Sequence, residues 1–330
     1  MKRFLALLAT CLFLIISVHR TMAQEPNPDL LKETLIEHQE FVSLPNISTN
    51  EGDMLVNMAW AKKAFEKQSF NVEILETSTL PIFYAERLVS RKAKTILFYF
   101  HIDGQAVDPD NWDQSDPFTP VHKASNGHGD WEQIDWQMIQ EEIDPEWRIF
   151  GRSAADDKAP IMMFLAANQL MTNEDVKHTY NIKVLIDPQE ESRSTALRST
   201  LDTYKDTYAA DYMIIMDGPA HPTNQPPLTY GFRGNSSCSI KVYGAKLPQH
   251  SGHYGNYSPN PVFTIAHLLA IIKKEAGIVT NDGFYDGIDI NQEIQSLLDA
   301  DPDDEAAIQR RMYISKPDEV GQNYQEYLQI

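Results

Sequence analysis

Cysteine is nearly absent: the chain has two in 330 residues. One of them, Cys11, lies in an apolar run at the start of the chain. Removal of that run would leave only Cys238, so no intrachain disulfide could close. Cys238 itself reads as an ordinary half-buried strand residue. Positive charge is also scarce. Twenty-eight Lys and Arg stand against 47 Asp and Glu, a formal net charge of −19. That balance argues against a nucleic-acid phosphate groove or an anionic membrane surface as partner. Internal repeats and low-complexity segments are missing, and so is an apolar run of the roughly 20 residues that a membrane helix needs. What is present is a globular composition, 42% hydrophobic and 10% aromatic. It excludes a disordered chain and leaves room for one large or two ordinary domains.

The first residues read as an address. Lys2 and Arg3 precede the apolar run Phe4 to Val18, and Thr21-Met22-Ala23 offers small residues where a signal peptidase cuts. The expectation is a signal peptide over residues 1–23, with Gln24 as the new N-terminus and a secreted or periplasmic product. Thr10 is a poor residue before a lipid-modified cysteine, which argues against an anchor at Cys11.

Apolar spacing predicts helices over Asp29–Phe41 and Asn50–Phe65, then strands at Asn71–Leu75, Ile82–Leu88 and Thr95–Phe100. The polar stretch Asp108–Arg148 reads as a long loop covering a site. A buried helix is expected from Ala159 to Met171 with Pro160 in its first turn, and another helix from Thr195 to Tyr208. Further strands are expected at Asn181–Ile186, Asp211–Met216 and Ser239–Ala245. Asn260, Pro261 and Gly277 signal the cap, first turn and end of a later helix. Strand–helix alternation implies an α/β fold with a mostly parallel sheet over residues 24–230. A smaller α+β lid unit is expected over 231–330, with the boundary near Gly231.

Four clusters of imidazole and carboxylate groups fall at the ends of these apolar segments: His101 with Asp103, Asp156 with Asp157, Glu190 with Glu191, and Asp217. In open α/β sheets, chemistry gathers beyond the carboxyl ends of the strands. Such a set converging on one edge makes a metal site, and a doubled Glu offers a ligand and a spare base. Taken singly, each cluster has a plainer reading. Asp156-Asp157 suits a helix N-terminus, the Glu pair a solvated turn, and Asp217-Gly218-Pro219 an ordinary turn. Asp282, Asp286, Gly287 and Glu293 match places in a calcium-binding EF-hand loop, but Phe284 and Ile290 stand where ligands belong, so this is read as a lid turn. His122, His128, His221, His253 and His267 receive no role.

The segments HIDGQAVDPDNW, DPFTPV, GRSAADDKAP, DPQEES, Asp217, TYGFRG and HSGHYGNYSPNP, in that order, resemble the co-catalytic zinc exopeptidases. This family includes carnosinases, glutamate carboxypeptidases and amino-acid deacylases, and GQAVDP looks more like its dipeptidase branch. The resemblance implies Zn²⁺ at two positions, with Mn²⁺ or Co²⁺ as substitutes, and hydrolysis of a small peptide by activated water. It makes His101 and Asp217 ligands of one ion, Asp156 the bridge, and Glu191 a ligand of the second ion. Glu190 becomes the general base, and Asp103 the partner that orients the His101 imidazole. His250 becomes a substrate contact in a lid that also pairs two copies of the chain.

This sequence departs from the family pattern at Ser153 and Ala159, where glycine is common, and at Pro188-Gln189 before the Glu pair. The family also implies a distal histidine ligand, whereas the last histidine here is His267. A C-terminally truncated member is therefore expected. The alternative to a working di-zinc dipeptidase is an impaired remnant holding one metal or none. An acidic calcium-binding protein is a third reading, against which imidazole in the donor set argues.

Overall fold

The computed structural model describes residues 27–127, 130–218, 234, 237–274, 276–300, 303–321 and 324–329. The expected signal peptide, the Gly231 boundary, His128, His221 and most of the TYGFRG segment lie outside them. The chain forms two compact units, one up to residue 220 and the other from 221.

The first unit opens with α1 (Pro28–Val42), capped by the Asn27 side chain, and α2 (Glu51–Lys67), capped by Asn50. Helix α2 buries Met54, Met58, Ala61 and Phe65, spaced four, three and four residues apart on one face. Helix α1 buries Phe41, Val42 and His38, and His38 is 6% exposed. Burial lowers the His38 pKa to about 4; a bond to the Ala154 backbone opposes this and the Lys158 charge adds to it. Above about pH 6.5 the ring is neutral in folded and unfolded chains alike. Between about 6.5 and 4 only the unfolded chain takes the proton, so stability falls with pH by up to about 3 kcal/mol. Replacing His38 by Gln should flatten that part of the urea-midpoint profile; an equally steep fall in the variant would assign it to other groups.

Strands β1 (Asn71–Leu75), β2 (Ile82–Arg87) and β3 (Thr95–His101) follow. The next segment is not the loop expected from its polarity. It folds as β4 (Val121–Ser125), β5 (Trp131–Ile134), a helical turn α3 (Met138–Glu141) and β6 (Arg148–Phe150), with strand order β5-β4-β6. Aromatic rings rather than aliphatic alternation hold it together. His122 lies between Trp136 and Trp147, each 5.1 Å away between ring centres, and Trp131 meets Phe150 at 5.4 Å.

Helix α4 (Lys158–Asn173) buries Ile161, Met162 and Leu165, but Met163 is 62% exposed, so one of its sides faces solvent. Strand β7 (Asn181–Asp187) comes next. The single helix expected over 195–208 is two short ones, α5 (Thr195–Thr200) and α6 (Lys205–Tyr208). Ser199 and Thr200 turn their hydroxyls back onto the carbonyls of Ala196 and Leu197, a competition that shortens helices. Strand β8 (Tyr212–Ile215) completes the unit.

The main sheet runs β1-β2-β7-β3-β8. Strands β7, β3 and β8 are parallel, and β1 and β2 are antiparallel additions. This is an α/β fold with a mixed sheet, antiparallel from β1 to β7 and parallel from β7 through β3 to β8. Side chains alternate between its faces. Phe83, Phe98, Phe100, Val184 and Ile186 pack with α2 and α4, while Ile82, Tyr84, Leu97, Tyr99 and Leu185 pack with Ala196, Leu197, Tyr204 and Tyr208. Strand β8 is apolar throughout, yet Tyr212, Met213 and Ile215 are more than half exposed. Among the described residues it pairs only with β3, so it forms an edge.

The second unit is helical among its described residues: α7 (Ser251–Tyr254), α8 (Pro261–Ile272), α9 (Gln292–Ala300), α10 (Glu305–Met312) and α11 (Tyr324–Gln329). The strand expected over Ser239–Ala245 is not formed, its apolar alternation meeting no partner strand among the described residues, and Cys238 is exposed rather than half-buried. Helix α8 has its expected Asn260 cap and ends at Ile272. Gly277, with φ of +84°, turns the chain between Lys273 and Val279, which pair as a bridge. The helix before the 282–293 segment ends, among the described residues, at Ile272, too far off to lead into it. Among the described residues, no helix is long and apolar enough to cross a membrane.

Candidate metal centre

The register of the parallel strands builds the site. Residues 95–101 of β3 pair with 181–187 of β7, so His101 lies opposite Asp187. On the other side Tyr99 pairs with Ile215, two residues before Asp217. His101, the Glu190–Glu191 turn and Asp217 therefore leave the sheet at one edge, as strand ends do in open α/β sheets.

His101 is 1% exposed. Its Nδ1 lies 3.0 Å from the Asp103 main-chain carbonyl, which can only accept, so Nδ1 carries a proton and Nε2 is the ring nitrogen that faces the carboxylates. Nε2 is 2.8 Å from Asp156 Oδ1 and 3.7 Å from Asp217 Oδ1. The His101 main-chain N–H donates to Asp157 Oδ2 at 3.0 Å. Asp157 thus serves His101 instead of capping α4, which has no side-chain cap.

Asp103, fully buried, has its carboxylate 3.5 Å from His101 Nδ1, but its hydrogen bonds go elsewhere. It accepts the main-chain N–H of Glu190 at 3.0 Å and of Glu191 at 3.2 Å. Asp187, also buried, accepts the Gln189 N–H at 2.8 Å and the Tyr99 hydroxyl at 3.2 Å. Three successive N–H groups of the Glu turn are therefore held by two buried carboxylates. Glu191 Oε2 accepts from Gln105 Nε2 at 3.0 Å.

The electrostatics are those of crowded acids. Burial raises the Asp157 pKa to about 8, and burial also lifts Glu190 and Asp217. Burial alone would lower that of His101, but Asp103, Asp157 and Asp217 outweigh it and raise it to about 10. Asp157 Oδ1 is buried without a hydrogen-bond partner. Oxygen donors this crowded, around one outward imidazole nitrogen, fit a divalent cation, whose charge offsets that of the gathered carboxylates. His101, Glu190 and Asp217 each offer one donor atom within 4.8 Å of the others, the one set of three so placed among the described residues.

The expected residues do not all meet. Asp156 touches His101 but its side chain is 68% exposed, and Glu190 rather than Glu191 stands in the three-donor set. His250 belongs to the second unit, where its Nδ1 accepts from the Gly252 N–H and its ring lies 4.7 Å from that of His253.

A match to peptidase family M20/M25/M40 covers residues 97–293. The chain belongs to that family. The human Beta-Ala-His dipeptidase is 28% identical over 211 residues, which are 63% of this chain and 37% of the relative. A Cys-Gly metallodipeptidase of Schizosaccharomyces pombe is 27% identical over 239 residues, 66% of this chain and 46% of the relative. The structure of human carnosine dipeptidase 1 superposes with a TM-score of 0.67 at 23% identity, covering 88% of this chain and 60% of that one. The chain thus spans less than half the length of these two curated relatives. The superposition carries the fold alone.

Sequence reasoning missed three residues around the site, Asp187, Lys158 and Asn46, and the part played by a fourth, Asp157. Asp187 sits just before the quoted Glu pair, where a strand's last residue gave no signal. Asp157 was placed in its cluster beside Asp156, with a helix N-terminus as its plainer role, and its bond to the His101 N–H was not foreseen. Lys158, fully buried, donates to the carbonyls of Phe41 and Leu44 at 2.8 and 2.7 Å and so ties α1 to the Asp156 segment. Asn46 lay in what read as a plain connection between two helices.

Proposed function

We propose that the chain is an exported metallodipeptidase that uses two Zn²⁺ ions to hydrolyse a dipeptide or release a terminal amino acid. The single observation that carries this is the outward His101 Nε2, fixed by Nδ1 and facing Asp156 and Asp217 at the edge of a parallel sheet. His101, Asp156 and Asp217 would hold one ion, and Asp156 with Glu191 the other. Bound zinc lowers the pKa of water and polarises a carbonyl oxygen. The rest falls to the chain's own groups. Glu190, as a carboxylate, would take a proton from water and return it to the leaving amine. Asp103, through the Glu190 N–H, keeps that carboxylate at the strand edge. The relatives' names make β-Ala-His and Cys-Gly the dipeptides to try first. A second copy is proposed to dock through the unit from 221, where α8 exposes Phe263 and Val262 at 75% and 65%.

A second reading has its own support. Only one three-donor group occurs among the described residues, and a site made of Asp156 and Glu191 falls short of the three or four ligands usual for zinc. On that reading the chain holds one ion or none and turns over poorly.

Metal analysis of the purified chain decides between them. Two zinc ions per chain with dipeptide turnover support the first reading; one ion without turnover supports the second. His101→Ala should remove the ion held with Asp217 in either case. Full zinc content in that variant would place the metal elsewhere.

A further inference from the structure

We propose that Asn46 is a positioning residue for the metal centre, setting the distance between the strand end that bears His101 and the loop that bears Asp156. This rests on the metal reading above. Asn46 lies between α1 and α2, outside every motif that pointed to the family, and is fully buried. Its Nδ2 donates to the Ile102 carbonyl at 2.8 Å and to Ser153 Oγ at 2.9 Å. Its own carbonyl accepts the Gly104 N–H at 2.8 Å, and Ile47 forms a parallel bridge with Gly104.

These partners flank the ligands. Ile102 follows His101 and Gly104 follows Asp103, while Ser153 precedes Asp156 by three residues. One amide group thus grips both ligand-bearing segments from behind. The approach is close: a Cβ on Gly104 would collide with Ser153 Oγ and press on Asn46 Oδ1. Ser153 is itself held at φ of +61°, in the left-handed region. The family resemblance led to glycine at position 153; the serine here supplies a hydroxyl that glycine cannot.

Packing alone does not explain the residue. Asn46 Oδ1 is buried with no hydrogen-bond partner, a cost that an apolar side chain would avoid. Rules broken locally in this way are expected where a site is served. Asn46-Ile47-Ser48 is also a glycosylation sequon, but the buried side chain cannot accept a glycan in the folded chain. What the grip sets is the gap between His101 Nε2 and Asp156 Oδ1, where a cation must fit.

The test is Zn²⁺ titration of the 330-residue chain against a competing chelator dye, with urea unfolding of the metal-free form measured alongside. Co²⁺ substitution adds a visible spectrum that reports ligand geometry. Asn46→Ala should weaken Zn²⁺ binding by about tenfold or more, in the range of other residues that support metal ligands, and should change the Co²⁺ bands. Ser153→Ala cuts the same bridge at its far end and should weaken binding by roughly threefold. The double variant should be no weaker than Asn46→Ala, because both changes break one link. If folded Asn46→Ala binds Zn²⁺ like the parent and only its urea midpoint falls, Asn46 is merely structural and the proposal is overturned. If that variant does not fold, unchanged affinity in Ser153→Ala overturns it instead. A parent chain whose Zn²⁺ binding is indifferent to His101→Ala overturns the metal reading itself, a failure separate from that of Asn46.

Discussion

Replacing Glu190 by Gln should lower dipeptide turnover by about 10²–10⁴-fold, the usual contribution of a general base, with zinc content near that of the parent chain. Replacing Glu191 by Gln should instead reduce zinc content, with turnover falling as a consequence. The difference follows from what each carboxylate is free to do. A base must release and take up protons, so it cannot also be locked as a ligand. Both glutamates hang from one turn whose N–H groups end on Asp103, so neither substitution should disturb the backbone that presents the other. The geometry makes the experiment sharp, because Glu190 stands with His101 and Asp217 as a donor within 4.8 Å. Zinc loss in Glu190→Gln with zinc retained in Glu191→Gln would exchange the two roles. Metal content is read independently of turnover, so the assignment can be tested on this chain even with a slow substrate.

Much of this centre was legible in the sequence because strands and their ends leave local marks. The stretches before His101, before Glu190 and before Asp217 are apolar runs of strand length, and they became β3, β7 and β8. Once three strands are parallel neighbours, their carboxyl ends must share an edge, so the clusters meet there. What the sequence could not show depends on partners far away along the chain. Asn46 contacts residues 56 and 107 positions on, and nothing in the segment around it marks the side chain as buried. The Asp108–Arg148 segment read as a loop because Trp, His and Pro hide the alternation that aliphatic strands display. Ser239–Ala245 had the alternation and found no neighbour among the described residues. Strand β8 was apolar enough to be central, but edge or centre is settled by which strands pair beside it, and pairing is not written locally.

Replacing Phe65 by Ala should destabilise the first unit by about 3–5 kcal/mol, the range for emptying a buried aromatic site. Phe65 is fully buried on α2 and meets three rings: Phe70 at 5.4 Å, Phe83 at 5.3 Å and Phe164 at 5.9 Å between centres. Phe164 lies in turn 4.9 Å from Phe98 and 5.6 Å from Phe100. The cluster therefore joins α2, α4, β2 and β3, and no single neighbour can move to fill the gap without leaving another. Rigid, shape-matched interiors relax only in part, so most of the lost contact should appear as lost stability. Met163, beside Phe164 on α4 but 62% exposed, is the control: Met163→Ala should change stability by no more than about 0.5 kcal/mol. Zinc affinity of folded Phe65→Ala should stay close to that of the parent, because Phe65 bonds to none of the site residues. Urea unfolding followed by tryptophan fluorescence gives the first quantity, and dye-competition titration in the absence of urea gives the second. A Phe65→Ala loss below about 1 kcal/mol would mean that the two helices and the sheet do not share one aromatic core. A parallel loss of zinc affinity would mean that core packing, and not only the hydrogen bonds at the strand ends, sets the spacing of the metal ligands.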